Sequence, residues 1–298
     1  MSVLTKRVTG RKQTMKPSRL DPQRISCVEY KKMESWNLDG KVAVVTGGGS
    51  GLGKSMALAL AHAGADVAVA GRRPRPIAEV AEAILAAGTR GLAVQTDVTD
   101  SAQVQNLISR VIDELGQVDI LLNNAGIVAD QGGVPIWEVS DQEWRTVIDT
   151  NLTSAFYCSR AVAKHMVDRG TGKIINVASG FGLRGGRDSY AYASSKGGVV
   201  QLTRSLATSL GRHGVTSNCL VPGYFETEGT ASSRENLADP RLIPVGRAGM
   251  PAELGPAAVL LASHASDYMN GEMFIIDGGG LAGGYAPTGH APVVPLDA

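Results

Sequence analysis

The sequence is poor in the residues that build disulfide frameworks and metal centres. Its three cysteines, Cys27, Cys158 and Cys219, are too few and too scattered for a disulfide scaffold, and its five histidines show no metal-ligand spacing. The expectation is a cytoplasmic protein in a reducing compartment, with no structural metal. No apolar run approaches the roughly 18 residues that would span a bilayer, so no membrane role is expected. Net charge is also small, +1 over 298 residues, and the positive excess is confined to one end. Residues 1–36 carry nine Lys/Arg against three Asp/Glu, which leaves the remainder acidic. Nucleic-acid binding needs a basic face, and an acidic body argues against it. The N-terminal segment lacks an apolar h-region, which excludes a secretory signal, although its acid-free first twenty residues have a faint transit-peptide character. A disordered extension over 1–36 is the expectation. There is no internal repeat.

Glycine, by contrast, is abundant. The 37 glycines have no collagen-like period and exceed the usual share of about 7%, which points to tight turns and close backbone approaches. From Lys41 onward, short β-branched runs alternate with Ala/Leu-rich amphipathic stretches. The runs are VAVVT (42–46), DVAVA (66–70), GLAVQ (91–95), DILLN (119–123), KIINVA (173–178), VTSNCLV (215–221) and MFIID (273–277). Helices are expected up to His62, Ala87 and Leu115, over Asp149–Asp168 and Ala193–Arg212, and near Ala252–Ala262. This rhythm predicts an α/β fold, a seven-stranded parallel doubly wound sheet with helices on both faces, in a single domain over 37–283. The Gly/Pro-rich residues 284–298 are expected to form an irregular tail. Two loop-like stretches, 127–139 and 222–250, directly follow strands, and ligands in such sheets bind beyond the carboxyl ends of strands. They are the candidate substrate walls.

The first strand runs straight into TGGGSGLG, residues 46–53. Thr46, Gly47, Gly49, Ser50, Gly51, Leu52 and Gly53 place glycines where a backbone must turn sharply and approach a pyrophosphate at a helix N-terminus. The end of the second strand decides which dinucleotide is held. A ribose 2′-hydroxyl is usually met there by Asp or Glu, whereas a 2′-phosphate needs positive charge. The sequence reads VAVAGRR, with Gly71 in place of the acid and Arg72 and Arg73 next. Guanidinium groups match phosphate geometry, so NADP(H) is preferred and NAD(H) is the alternative.

Tyr192 and Lys196 stand four apart at the start of a helix, so they share a face and can address one ligand. Moving a tyrosine from its free value near 10 towards 7 takes about 4 kcal/mol of differential phenolate stabilisation, for which a lysine is a suitable source. Together with TGGGSGLG, the NNAG of 123–126, Asn151, Ser179 thirteen residues before Tyr192, and the YASSK of 192–196, this pattern resembles the short-chain dehydrogenase/reductase family over about residues 37–280. The resemblance implies a Rossmann fold and an oxidoreductase that interconverts a secondary alcohol and a ketone. It implies that Tyr192 transfers the proton, Ser179 hydrogen-bonds the reacting oxygen, Lys196 also binds the nicotinamide ribose, and Asn151 anchors a water leading to solvent. It further implies that Asn124, with Ala125 and Gly126, steadies the central strand beside the cofactor, and that Asp97 and Val98 contact the adenine. In NCLVPGYFET, Asn218, Pro222, Gly223 and Thr227 match the family's loop over the nicotinamide carboxamide, which continues into a lid. For Asn124, Asp97 and Val98 a purely structural role is an equal reading. Tyr190 is expected to serve packing or the pocket rim, and not the proton transfer, because Ser194 rather than a lysine follows it at four residues.

Phe181, Leu183, Arg184, Arg187, Tyr224, Phe225 and Glu226 are the candidate pocket residues. Two arginines beside polar and aromatic groups suit a small anionic substrate such as a sugar acid. PGYFETE (222–228) resembles the same stretch of gluconate 5-dehydrogenases. The alternative is a 3-oxoacyl-carrier-protein reductase, with Arg160, Lys164 and Arg169 greeting the acidic carrier, and a non-catalytic NADP-binding scaffold is a third reading. Small and apolar residues over 149–169 and 193–212 offer more surface than one sheet contact needs, and by the resemblance they form the contacts of a homotetramer, with a dimer as the alternative.

Overall fold

A computed structural model describes residues 36–128, 134–228 and 242–283. The extension expected over 1–36 lies, but for Trp36, outside the described residues, as do the tail at 284–298 and parts of both candidate substrate loops. Seven parallel strands form one sheet: β1 (Val42–Thr46), β2 (Asp66–Gly71), β3 (Gly91–Gln95), β4 (Ile120–Asn123), β5 (Gly172–Val177), β6 (Val215–Pro222) and β7 (Met273–Ile276). Their order across the sheet is β3-β2-β1-β4-β5-β6-β7, so the winding reverses between β1 and β4. The helices are α1 (Gly51–His62), α2 (Pro74–Ala86), α3 (Ser101–Leu115), α4 (Asp141–Ile148), α5 (Ser154–Arg169), α6 (Tyr190–Leu210) and α7 (Gly255–Ala262).

Strand residues alternate between two cores, as a period of two requires. Ala43, Val45, Val67, Val69, Ile120, Leu122 and Ile175 pack on one face with Met56 and Leu60 of α1, Ile84 of α2 and Leu261 of α7. Val42, Val44, Ala68, Ala70, Leu121 and Ile174 pack on the other with Leu107 and Val111 of α3 and with Val162 and Met166 of α5. Covered on both faces, β1 and β4 are buried from end to end.

Helix ends follow local chemistry. Asp100 caps α3 by accepting from the Ala102 and Gln103 N–H groups at 2.8 and 3.3 Å, and Gly116 closes that helix in the left-handed region. Two boundaries differ from the sequence expectation in ways that bear on function. The helical stretch expected from Asp149 instead begins with α4 at Asp141, where Ser140 accepts from the Glu143 N–H at 3.1 Å, and reaches α5 through a five-residue π-helical turn, Asp149–Thr153. Helix α6 begins at Tyr190 rather than Ala193, so Tyr192 lies inside its first turn.

Candidate active site

The site forms at the reversal of strand order, where β1 and β4 end side by side. Thr46 ties the two strand ends together. Its hydroxyl accepts from the Asn124 and Ala125 N–H groups, both at 3.1 Å, and donates to the Leu122 carbonyl at 3.4 Å. The Asn124 side chain donates back to the carbonyls of Thr46 and Gly47 at 3.0 and 3.2 Å. Gly47 adopts a positive φ of 64°, and a Cβ there would lie 2.9 Å from the Ala125 Cα. Helix α1 then opens with no side-chain cap and no acid in its first turn. A bare helix N-terminus above a cradle that only glycine can line fits a pyrophosphate.

At the end of β2, Gly71 occupies the acid position, and Arg73 reaches back so that its guanidinium donates to the Ser50 hydroxyl at 3.2 Å. The Arg72 carbonyl is held by the Gln95 side chain at 3.1 Å. A cation on the rim of the phosphate loop fits a 2′-phosphate. Asp97 and Val98 follow β3, but the Asp97 carboxylate is taken up by its own turn, accepting from the Thr99 N–H and hydroxyl at 3.0 and 2.7 Å, while Val98 is buried.

Opposite the cradle, the end of β5 and the start of α6 converge. Ser179 accepts from the Phe181 N–H at 3.3 Å and so caps a single turn over Gly180–Gly182. The Phe181 ring meets the Tyr192 ring edge-on, with centroids 6.3 Å apart and planes at 84°. This turn approaches α6 closely: a Cβ on Gly182 would stand 2.7 Å from the Lys196 carbonyl oxygen. One turn beyond Tyr192, Lys196 is 4% exposed, and its Nζ lies 5.8 Å from the Tyr192 ring centroid. The ammonium donates to the Val177 carbonyl at 3.0 Å, and burial pushes its pKa down to about 8.

Asn151 enters from the π-helical turn, a feature frequent at functional sites. Its carbonyl oxygen accepts from the Ile127 N–H at 2.8 Å, and its amide donates to the Ile127 carbonyl and the Ser195 hydroxyl, both at 3.0 Å. A Cβ on Gly126 would lie 3.2 Å from Asn151 Oδ1 and 3.4 Å from Lys196 Nζ. Ser179, Tyr192, Lys196 and Asn151 are thus brought to one place by β5, α6 and the π-helical turn.

Beyond β6, Pro222 ends the strand, and a Cβ on Gly223 would lie 2.6 Å from the Asp277 Cβ. The Thr227 side chain approaches the glycine loop, 3.6 Å from where a Gly51 Cβ would stand. Asn218 sits lower in β6 and donates to the Met269 carbonyl at 2.7 Å. Among the expected pocket residues Phe225 is misplaced: it is 4% exposed and belongs to the core, anchored where its backbone forms an isolated bridge with Gly249. An aromatic ring gains more from burial there than from a polar cleft. Leu183, Arg184 and Arg187 are exposed on the loop between Ser179 and Tyr192, and Tyr224 packs beside Ile243.

Arg160, Lys164 and Arg169 do not form a free basic face. Arg160 lies over the Phe156 and Tyr157 rings, Lys164 pairs with Asp168 at 2.7 Å, and Arg169 is bound to Asp119 and Gln117 at 2.8 and 2.9 Å.

Two sets of site residues escaped the sequence reading. Ser195 links Asn151 to α6 by accepting from it and donating to the Tyr192 carbonyl at 2.7 Å; its place beside Lys196 in YASSK was the available signal. Behind the site, Asn123 donates to Asn176 at 2.8 Å and to Ser159 at 3.1 Å, and Asn176 donates to Thr203 at 2.9 Å, a buried ladder joining β4, β5, α5 and α6.

A glycine cradle at the sheet's reversal point, together with a tyrosine one helical turn from a buried lysine, defines a dinucleotide-dependent oxidoreductase. The short chain dehydrogenase family model matches residues 41–238, and the chain belongs to that family, whose members are NAD(P)-dependent dehydrogenases and reductases acting on CH–OH groups. It is 39% identical over 255 residues to the 2-dehydro-3-deoxy-D-gluconate 5-dehydrogenase of Escherichia coli, covering 84% of this chain and 99% of that one. It is 36% identical over 244 residues to a 3-oxoacyl-[acyl-carrier-protein] reductase of Chlamydia pneumoniae, covering 81% and 97%. A solved gluconate 5-dehydrogenase from Burkholderia cenocepacia, in complex with NADP and tartrate, superposes with a TM-score of 0.78 at 36% identity over 84% of this chain and 98% of that one.

Proposed function

We propose that the protein is an NADP(H)-dependent oxidoreductase that interconverts a secondary alcohol and a ketone of a sugar acid, such as gluconate and 5-ketogluconate. The observation that carries the reaction is the pairing of Tyr192 with buried Lys196 on one helical turn, with Asn151 and Ser179 converging from neighbouring elements. When bound, the nicotinamide cofactor supplies or accepts the hydride. In the reducing direction Tyr192 Oη gives its proton to the carbonyl oxygen, and in the oxidising direction it takes the proton from the alcohol. Ser179 Oγ hydrogen-bonds that same oxygen and holds it in reach. Lys196 stabilises the phenolate form of Tyr192 and binds the nicotinamide ribose, and Asn151 anchors the route by which Tyr192 is reprotonated. Thr46 to Gly53 hold the pyrophosphate, Asn124 to Gly126 line its other side, Asp97 and Val98 flank the adenine, and Pro222, Gly223 and Thr227 cover the carboxamide.

The preference for NADP(H) is supported by the Arg73–Ser50 contact, with Arg72 beside it, and by the NADP bound in the Burkholderia relative. The sugar-acid reading is supported by relatives that act on gluconate derivatives and by two exposed arginines on the loop before α6, suited to a carboxylate. Cytoplasmic location and a homotetramer complete the proposal; Trp144 on α4 and Phe156 on α5, both more than 40% exposed, leave apolar surface for such contacts, and no helix among the described residues is long and apolar enough to cross a membrane.

The test is NADPH consumption across 5-ketogluconate, an acetoacetyl thioester and cyclic ketones. Turnover of 5-ketogluconate supports the sugar-acid reading. Turnover of the thioester alone overturns it in favour of acyl-carrier chemistry.

A further inference from the structure

The buried ladder behind the site ends on the helix that carries the chemistry. Asn176 of β5 is wholly buried, and its side chain is held at both ends: Oδ1 accepts from the Asn123 amide at 2.8 Å, and Nδ2 donates to the Thr203 hydroxyl at 2.9 Å. Thr203, equally buried in the middle of α6, donates to the Val199 carbonyl at 2.8 Å. A hydroxyl has one proton, so towards Asn176 it acts only as an acceptor, and the pairing has a single orientation.

Lys196 and Thr203 are seven apart on α6, two turns along one face. Their partners on β5 are adjacent: Thr203 meets the Asn176 side chain, and Lys196 donates to the Val177 carbonyl at 3.0 Å. Consecutive residues of one strand therefore hold one helix at two points. Apolar contacts nearby fix its position less sharply. Val199 and Val200 pack with Ala178, Cys219 and Val221, and because apolar packing is non-directional it tolerates a small slide or rotation of the helix. The Asn176–Thr203 bond does not, since a shift leaves a buried amide hydrogen without its acceptor. Nor is β5 free to follow the helix. Asn123 of β4, itself bound to Ser159 of α5 at 3.1 Å, holds Asn176 from the other side, and β5 is paired in register with both β4 and β6.

We propose that Asn176 and Thr203 are positioning residues for the reaction: their hydrogen bond sets the register of α6 on β5, and with it the reach of Lys196 to the Val177 carbonyl and its distance from Tyr192. The proposal rests on the reading of Tyr192 and Lys196 as the proton-transfer pair, and it holds for whichever ketone the enzyme reduces.

The test is the pH dependence of kcat/KM for alcohol oxidation with NADP, using gluconate or, where the thioester is the working ketone, a 3-hydroxybutyryl thioester. In the wild type kcat/KM is expected to fall on the acidic side of the apparent pKa of the Tyr192–Lys196 pair, as the phenolate form is lost. The titratable group that faces Lys196 from β6 is Cys219, which burial pushes up to about 11, so it stays a neutral thiol over the range measured. Thr203→Val keeps the shape of the side chain and removes the acceptor. Its acidic limb should move to higher pH, lowering kcat/KM about 10-fold at pH 7, the effect of one lost hydrogen bond, and leaving it within about twofold of the wild type at pH 10, where the phenolate forms unaided. Thr203→Ala, with the best helix former at that position, carries the same expectation should the valine variant not fold. Thr203→Ser, which keeps the hydroxyl, should restore the wild-type profile. An unmoved limb in Thr203→Val overturns the proposal, as does a loss that persists to pH 10, which is general damage to the site. A serine variant that shifts like the valine overturns it too, because the hydroxyl is then not the tie. A wild-type profile with no acidic limb removes the Tyr192–Lys196 reading and this proposal with it, an outcome visible before any variant is made.

Discussion

Lys196 donates its ammonium proton to the Val177 carbonyl at 3.0 Å from a position that is almost wholly buried. The bond fixes the side chain beside the Tyr192 ring, but a single carbonyl does not replace the water an ammonium loses, and burial holds its pKa near 8 instead of the ordinary 10.5. The sign of the consequence is fixed. Between the folded value near 8 and the unfolded value near 10.5 the unfolded chain binds more protons, so stability rises with pH through that window, while below it the penalty of charging Lys196 is fully present. Replacing the group by Met removes this dependence. The stability of the wild type relative to Lys196→Met, measured by denaturant unfolding without cofactor, should improve by about 3 kcal/mol between pH 8 and 10.5. A constant difference across that range would mean that Lys196 is not buried in its charged form.

Arg73 and Ser50 make a second pairing with a measurable consequence. If the guanidinium that lies 3.2 Å from Ser50 is there to meet a 2′-phosphate, its loss should weaken only the cofactor that carries one. Arg73→Ala is expected to raise the KM for NADPH by about 10- to 100-fold, the range of a lost charge-assisted contact, and to leave the KM for NADH nearly unchanged. Equal losses with both cofactors would place Arg73 on a phosphate common to the two.

Much of this arrangement was legible in the sequence, for a physical reason. A parallel sheet buried on both faces needs continuous apolar runs, so all seven strands stood out from the polar helices' outer faces. The glycine loop and the Tyr192–Lys196 spacing are local patterns whose geometry is set within one turn of backbone. What depends on distant partners was not legible. Phe225 reads as a pocket aromatic beside Tyr224 and is in fact core, because Gly249 gives its ring a seat 24 residues downstream. Arg169 reads as a free surface cation until Asp119 and Gln117 are folded against it. The π-helical turn at 149–153 has no sequence signal of its own; it is visible only through the Ile127 and Ser195 partners that Asn151 must reach.

Tyr192→Phe separates proton transfer from folding and binding. The ring remains to pack against Phe181, so the fold and NADPH affinity should persist, whereas kcat should fall by at least about 100-fold, the lower end of what a positioned acid–base group contributes. Cofactor fluorescence titration together with steady-state turnover checks both halves. Retention of most of the wild-type rate with cofactor bound would remove Tyr192 from the chemistry.

Asp119 supplies the opposite control, because it sits just before β4, at the end of the sheet away from the cradle. Its carboxylate is 6% exposed and accepts from the Val42 N–H, the Gln117 amide and the Arg169 guanidinium, each at 2.8 Å. Truncation leaves a main-chain donor unpaired and a cation, itself only 27% exposed, without its partner. Asp119→Ala is therefore expected to lose about 3 kcal/mol of stability, the lower end for a broken buried pair because Arg169 keeps some solvent. The kcat and KM of the folded fraction should stay at wild-type values, since nothing in this cluster touches Tyr192 or the cradle. Unfolding by urea and turnover below the new midpoint measure the two separately. A change in kcat without loss of stability would mean that the two ends of β4 are coupled more tightly than their contacts imply.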